Sequence, residues 1–286
     1  MIAFVFPGQG SQVRGMGKGL FGEVPEYAAI EDEADALLGQ SLRALCLHDP
    51  SDLLKQTQYT QPCLYVVNAL HYYKAIEQGA RPEFVAGHSL GEFNALLAAG
   101  AVDFITGLQL VRKRGELMSQ AHGGAMAAAI GLSHDKIADV LCGNGLTTLD
   151  IASFNSPNQT VVAGPESDVA RAGPLLEQAG AAMYVPLQVS AAFHSRYLEK
   201  AARAYADFLV PMTFSAPKVT VIANATGEPY PTEDFAAAVK SLLVRQMTSP
   251  VRWTQTVQYL IRRGVTEFRE LGPGTALTRL IRQIRS

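Results

Sequence analysis

Short, wholly apolar runs alternate with longer amphipathic stretches over the first 121 residues. Ile2-Ala3-Phe4-Val5-Phe6 is an unbroken apolar run closed by Pro7-Gly8, the pattern of a strand buried on both faces that enters a loop. A helix is predicted over 61–78, with Thr60 as its cap and Pro62 in its first turn, where a missing N–H costs nothing. A strand at 84–88, a helix at 91–99 stopped near Gly100 and a longer helix at 104–121 follow. Strands alternating with helices in this way predict an α/β fold with a largely parallel sheet covered on both faces.

The middle of the chain has a different rhythm. A strand at 125–131, a helix at 134–142, strands at 148–154 and 159–163, a helix at 167–179 and a strand at 182–188 give the order β-α-β-β-α-β. That is the split unit of a small ferredoxin-like module. Residues 123–190 are therefore expected to form an inserted subdomain, with 1–122 and 191–286 forming the larger domain. The second part of that domain contributes a strand at 218–223, two helices, a strand at 266–270 and a last helix after Gly274. A cleft between the two bodies is where a small ligand is expected.

Composition narrows the function. The 286 residues are 48% hydrophobic and 17% charged, too apolar for a disordered chain. No apolar run approaches the roughly 18 to 20 residues that span a bilayer, and the N-terminus lacks the features of a secretory signal. Cys46, Cys63 and Cys142 are odd in number and lack metal-ligand spacing, so neither a disulfide framework nor a zinc cluster is expected. A reducing, cytoplasmic setting is expected, without membrane or nucleic-acid partners. The net charge of −2 hides one asymmetry: beyond residue 251 there are seven arginines against Glu267 and Glu270. A solvated helix surface and a docking patch for an acidic partner both fit that segment.

Gly87-His88-Ser89-Leu90-Gly91 fits G-x-S-x-G between a strand and a helix, the context of a nucleophile elbow. Its glycines are a steric need, because Cβ atoms two residues either side of the serine would clash in so sharp a turn. The helix start also offers the Leu90 N–H to a developing oxyanion. Of the six histidines, His48, His71 and His134 read as structural or solvated. His194, in Ser190-Ala191-Ala192-Phe193-His194-Ser195, follows the subdomain's last strand and is the candidate base, with a satisfied loop histidine as the alternative. A third triad member is not evident. Asp150 is the only acid between the two that follows a strand-like stretch, and it reads as a strand-start residue.

Pro7-Gly8-Gln9-Gly10-Ser11-Gln12 is not a dinucleotide loop, since G-x-G-x-x-G needs glycine where Val13 stands. An ordinary turn and a second oxyanion donor remain open for it. Arg114 shares one helical face with Leu110, Leu117 and Ala121 and is expected to point inward, unlike Arg112 and Lys113. A buried guanidinium needs a partner, either an internal carboxylate or the carboxylate of a substrate held in two parallel hydrogen bonds.

Together Phe6-Pro7-Gly8-Gln9-Gly10-Ser11-Gln12, Gly87-His88-Ser89-Leu90-Gly91-Glu92, Val111-Arg112-Lys113-Arg114-Gly115-Glu116-Leu117-Met118 and Ala192-Phe193-His194-Ser195 resemble the malonyl-CoA:acyl-carrier-protein transacylases. That family includes stand-alone fatty-acid enzymes and the discrete acyltransferases that serve polyketide synthases in trans. Asn155-Ser156-Pro157-Asn158-Gln159 and Leu271-Gly272-Pro273-Gly274 fit the same family, so the resemblance runs from residue 3 to about 284. It implies an α/β-hydrolase-like core with a ferredoxin-like insert. It also implies Ser89 as nucleophile, His194 as base and the backbone N–H groups of Gln9 and Leu90 as oxyanion donors. Arg114 would hold the malonyl carboxylate, with His88 and Phe193 beside the acyl group, and a backbone carbonyl near Gln246 would orient the histidine. Malonyl-CoA would be the substrate and an acyl carrier protein the partner, with no permanently bound cofactor. The residues Ala191-Ala192-Phe193-His194 depart from the malonyl-type pattern at the first position, yet Phe193 predicts malonyl over methylmalonyl. The rival activities are a carrier-protein thioester hydrolase of the same fold, against which Arg114 argues, and a catalytically idle docking domain, against which intact Ser89, His194 and Gln9 argue.

Overall fold

In the computed structural model, which describes all 286 residues, two separate four-stranded sheets organise the chain. The first is built from Ile2–Phe6 (β1), Phe84–Gly87 (β2), Thr220–Ile222 (β7) and Glu267–Glu270 (β8), in the order β7-β2-β1-β8 with every pairing parallel. The second comprises Gly124–Ile130 (β3), Asp150–Ser156 (β4), Gln159–Pro165 (β5) and Met183–Pro186 (β6). Its order is β4-β5-β3-β6, antiparallel throughout.

Alternate side chains of β1 enter different cores. Phe4 and Phe6 join the large cluster beneath the long helices, whereas Ala3 and Val5 face Trp253, Val257, Leu277 and Ile281 on the other side. Both faces are covered, which is why the run carries no polar residue. β3 alternates in the same manner. Ala127 and Ala129 pack on the small body's own helices through Ile137, Leu141, Val169 and Leu176, while Met126 and Ala128 face the large core. This leaves the small sheet's inner face available to line a cleft.

Helices Pro25–Ala28 (α1), Glu31–Leu38 (α2) and Leu42–His48 (α3) precede the 21-residue helix Thr57–Glu77 (α4). Gly91–Ala98 (α5) and Phe104–Ser119 (α6) follow, then His134–Gly143 (α7) and Glu166–Gln178 (α8) of the small body. Glu199–Leu209 (α9), Phe235–Thr248 (α10), Trp253–Arg262 (α11) and Ala276–Arg285 (α12) complete the chain. None is long and apolar enough to cross a membrane.

Two features differ from expectation. α4 begins three residues before Thr60, which is therefore no cap: its hydroxyl donates to the Leu54 and Gln56 carbonyls at 2.7 and 2.9 Å. Pro62 accordingly lies inside the helix rather than in its first turn. Stretches without a predicted element are also helical, namely α1 to α3 and α9. In α9 the buried positions Ala201, Ala202, Tyr205 and Leu209 fall at helical spacing, although two of the four are alanines with little apolar bulk.

The two sheets are tied together by backbone. Val251 donates to the Ala152 carbonyl at 3.0 Å and accepts from Phe154 N–H at 2.9 Å, so the segment after α10 extends the edge of β4.

Candidate active site

β2 turns into α5 through a tight elbow. A Cβ on Gly87 would lie 1.9 Å from the Gly91 carbonyl carbon, and one on Gly91 would lie 2.0 Å from the Phe6 carbonyl oxygen. Only glycine lets the turn nest against itself and against β1. Ser89 sits at its apex in left-handed backbone with φ 52°. Asn224, just beyond β7, holds both sides of the turn: Oδ1 accepts from Ser89 N–H and Nδ2 donates to the Gly87 carbonyl, each at 2.6 Å.

His194 Nε2 is 2.7 Å from Ser89 Oγ, and His194 Nδ1 donates to the Gln246 backbone carbonyl at 2.7 Å. Because that carbonyl can only accept, the proton lies on Nδ1 and Nε2 is free to take one. His194 is buried and also left-handed at φ 57°. Burial, with the Arg114 charge second, pushes its pKa down to about 3, so the ring is neutral at ordinary pH. Asp150 takes no part, because its carboxylate pairs with Arg196.

Arg114, on α6, is 1% exposed. Its Nη1 donates to Gln61 Oε1 at 2.8 Å, and Nη2 donates to Gln246 Oε1 at 2.9 Å and Ser89 Oγ at 3.0 Å. The Phe93 ring lies 5.6 Å from its guanidinium carbon. No carboxylate pairs with it directly, and its Nε has no hydrogen-bond partner. Of the two alternatives for Arg114, the internal salt bridge is not formed. The guanidinium is held by neutral oxygens, an arrangement whose unmet charge an anionic ligand would satisfy.

The loop after β1 packs on the elbow so closely that a Cβ on Gly8 would lie 2.4 Å from the His88 carbonyl oxygen. The N–H groups of Gln9 and Leu90 donate to no other protein group. Gln9, His88, Ser89, Leu90, Arg114, Phe193 and His194 all border one cavity of about 240 Å³, with Gln246 just behind it. Its polar half is Arg114, Ser89, His194 and Gln61; its apolar half includes Met126, Ala128, Ala152 and Val161 from the small sheet. His88 hydrogen-bonds Asn155 Oδ1 at 2.9 Å through Nε2, which fixes its ring against β4.

Sequence reasoning missed Gln61, Asn224 and the side chain of Gln246. Each is a polar residue in a buried position, and that is the signal they carried. Asn224 follows a buried strand, Gln61 lies within a largely buried helical stretch, and Gln246 lies on the buried face of α10. No three His, Cys, Asp or Glu side chains converge as a metal site.

A strained serine hydroxyl bonded to a neutral imidazole, beside two free backbone amides, is the arrangement of enzymes that move acyl groups through a serine ester. The chain belongs to the acyl transferases: the family described as "Acyl transferase domain" matches residues 3–285. The chain is 49% identical over 287 residues to the polyketide biosynthesis malonyl CoA-acyl carrier protein transacylase PksC of Bacillus subtilis (strain 168), covering 100% of this chain and 97% of that protein. It is 50% identical over 285 residues to the polyketide biosynthesis protein ThaF of Burkholderia thailandensis, where 99% of this chain spans only 24% of the longer protein. Among solved structures, malonyl CoA-acyl carrier protein transacylase from Burkholderia pseudomallei superposes with a TM-score of 0.93 at 47% identity, covering 100% of this chain and 98% of that one.

Proposed function

We propose that this chain transfers a malonyl group from malonyl-CoA to the phosphopantetheine thiol of an acyl carrier protein, in polyketide or fatty-acid assembly. The observation that carries the reading is a buried guanidinium with no carboxylate partner, whose Nη2 lies 3.0 Å from Ser89 Oγ. A malonyl group esterified to that oxygen is three carbons long. It can fold its free carboxylate back onto Arg114, whereas an acetyl group has nothing to offer there. The names of PksC and of the Burkholderia pseudomallei transacylase support the same substrate and acceptor.

In the first half-reaction His194 Nε2 takes the proton of Ser89 Oγ as that oxygen attacks the thioester carbonyl. The Gln9 and Leu90 N–H groups receive the oxyanion. Collapse breaks the C–S bond, and the imidazolium returns its proton to the CoA thiolate. In the second half, Nε2 deprotonates the carrier's thiol, which attacks the malonyl ester, and Ser89 leaves with the proton. Each half uses one proton and one acyl bond, so ping-pong kinetics follow. The neutral His194 is suited to both halves because it starts each one as a base.

The exposed Arg279 of α12 lines a groove that also includes Gly8, Gln9 and His88, whereas Arg285 reaches the Thr266 carbonyl at the far end of β8. This supports docking of an acidic carrier at the mouth of the cleft. Phe193, beside His194, narrows the space next to the acyl α-carbon and supports malonyl over methylmalonyl.

Intact-mass measurement tests the reading. Malonyl-CoA adds one malonyl group to the wild-type protein and none to Ser89→Ala, and added holo carrier protein removes it to the carrier. Loss of the adduct to water at the same rate without carrier would instead mark a hydrolase.

A further inference from the structure

Behind the Ser89–His194 pair lies a carboxyl group that the transfer chemistry does not use. Glu92, the second residue of α5, is fully buried. A carboxylate at that depth is costly unless polar partners replace its water. Three donors do so: the Tyr230 hydroxyl at 2.5 Å, Gln246 Nε2 at 2.5 Å and the Asn224 N–H at 3.2 Å. Every one of them donates, so the form of Glu92 that fits is the ionised, acceptor-only carboxylate. Burial pushes its pKa up to about 7, against the pull of those three hydrogen bonds and of the Arg114 charge.

The amide of Gln246 stands between Glu92 and Arg114. Its nitrogen faces the carboxylate and the Ser89 carbonyl, the latter at 3.0 Å, while its oxygen accepts from Arg114 Nη2 at 2.9 Å. Arg114 therefore has a counter-charge one amide away, close enough to compensate it and too far to occupy it. The Gln246 backbone carbonyl that orients His194 belongs to the last turn of α10 and is set by that helix. Asn224 supports the Ser89 backbone through its side chain, while only its own N–H reaches Glu92.

We propose that Glu92 is a positioning residue: through the Gln246 side chain it locks the Arg114 guanidinium in the orientation that receives the substrate carboxylate, while the Ser89–His194 pair keeps its own supports. This deepens the malonyl-transfer reading and rests on it. The role differs from a purely structural one because it separates two activities of the same serine. Capture of a carboxylate-bearing acyl group needs Glu92, and acylation by a neutral ester does not.

The test uses the full chain and two acyl donors, malonyl-CoA and the neutral ester p-nitrophenyl acetate, each followed as acylation of Ser89. In Glu92→Gln the charge is gone and one of the two acceptor oxygens becomes an NH2 donor, so Gln246 and Tyr230 lose the ionised acceptor they share. kcat/KM for malonyl-CoA falls by roughly tenfold to a hundredfold, the size of one hydrogen bond to a charged group. Most of the loss appears in KM, and acylation by the neutral ester stays within about threefold. Glu92→Asp, which keeps the charge, recovers part of the malonyl-CoA activity and none of it at the expense of the ester. Equal losses with both donors, or no loss with either, would overturn the role. Should Glu92→Gln fail to fold, Tyr230→Phe removes one donor to the carboxylate and is judged by the same split, a selective loss supporting the role and an equal or absent loss overturning it. The wild-type protein separates the two readings: if malonyl-CoA does not label it, the transfer reading fails, and if it does but the variants show no selective loss, only the role of Glu92 fails.

Discussion

Ser89 and His194 both occupy left-handed backbone, which costs an L residue about 1–3 kcal/mol each and persists only where the surroundings enforce it. For Ser89 the enforcing contacts are Gly87, Gly91 and the two hydrogen bonds of Asn224. The serine was legible because the glycines it needs are written beside it. His194 was legible by its position after a strand as the candidate base, but not apart from a satisfied loop histidine, since its left-handed turn and its Gln246 acceptor arise from tertiary contacts. Arg114 was legible by periodicity, as a charge on an apolar helical face, but the neutral oxygens that hold it come from α4 and α10 and leave no local trace. Phe193 carries a prediction at this scale. It lines the cavity next to His194, so Phe193→Ser opens space beside the acyl α-carbon. One methyl group separates malonyl from methylmalonyl, which bounds discrimination by packing to about 10 to 200-fold. The variant should raise the methylmalonyl-to-malonyl ratio of kcat/KM within that bound, measured by competition between the two CoA esters. An unchanged ratio would remove Phe193 as the steric gate.

At the scale of elements, the apolar runs of β1 and β2, the long and largely buried α4 and the apolar face of α6 were readable because each is long or wholly apolar. The helices α1 to α3 span four to eight residues, and segments that short offer about two turns of periodicity at most. The start of α4 was misplaced because Thr60 resembles a cap, whereas its hydroxyl bonds carbonyls behind it. Position within an element also bears on the proposed oxyanion donors, which come together only because the loop after β1 lies directly on the elbow. Gly8→Ala tests this contact. The added Cβ would meet the His88 backbone oxygen at 2.4 Å, and backbone cannot swing aside. The loop must lift, carrying the Gln9 N–H away from that of Leu90. Overpacking of this kind costs about 1–3 kcal/mol of stability. Losing one oxyanion donor slows acylation by about a hundredfold to a thousandfold. A rapid-quench acylation rate with malonyl-CoA, alongside a thermal melt, should show both effects. A wild-type rate would place the oxyanion elsewhere.

Across the whole molecule, the cleft is built by bringing two bodies together and burying ionisable groups between and behind them, so the site's chemistry is also a term in folding. The backbone tie between β4 and Val251 fixes the small sheet against the segment that follows Gln246. This places His88 against Asn155 and His194 against the α10 carbonyl in one rigid arrangement. Burial lowers the pKa of His71, His88, His134 and His194 below the usual 6.5. Below that pH the unfolded chain binds protons that the folded chain refuses, so these groups make stability fall as pH falls. Glu92 acts in the opposite sense. With its folded pKa near 7 against 4.5, the folded state holds the extra proton between those values, and stability there rises as pH falls. Asp52 and Asp168, both lowered from 3.8, matter only in more acid solution. Four histidines outweigh one glutamate, so the wild-type melting temperature should drop from pH 7 to pH 5. In Glu92→Gln the opposing contribution is removed and the drop should steepen. Thermal melts of both proteins across that range decide the matter, and a drop that is equal or shallower in the variant would show that Glu92 does not take up its proton on folding.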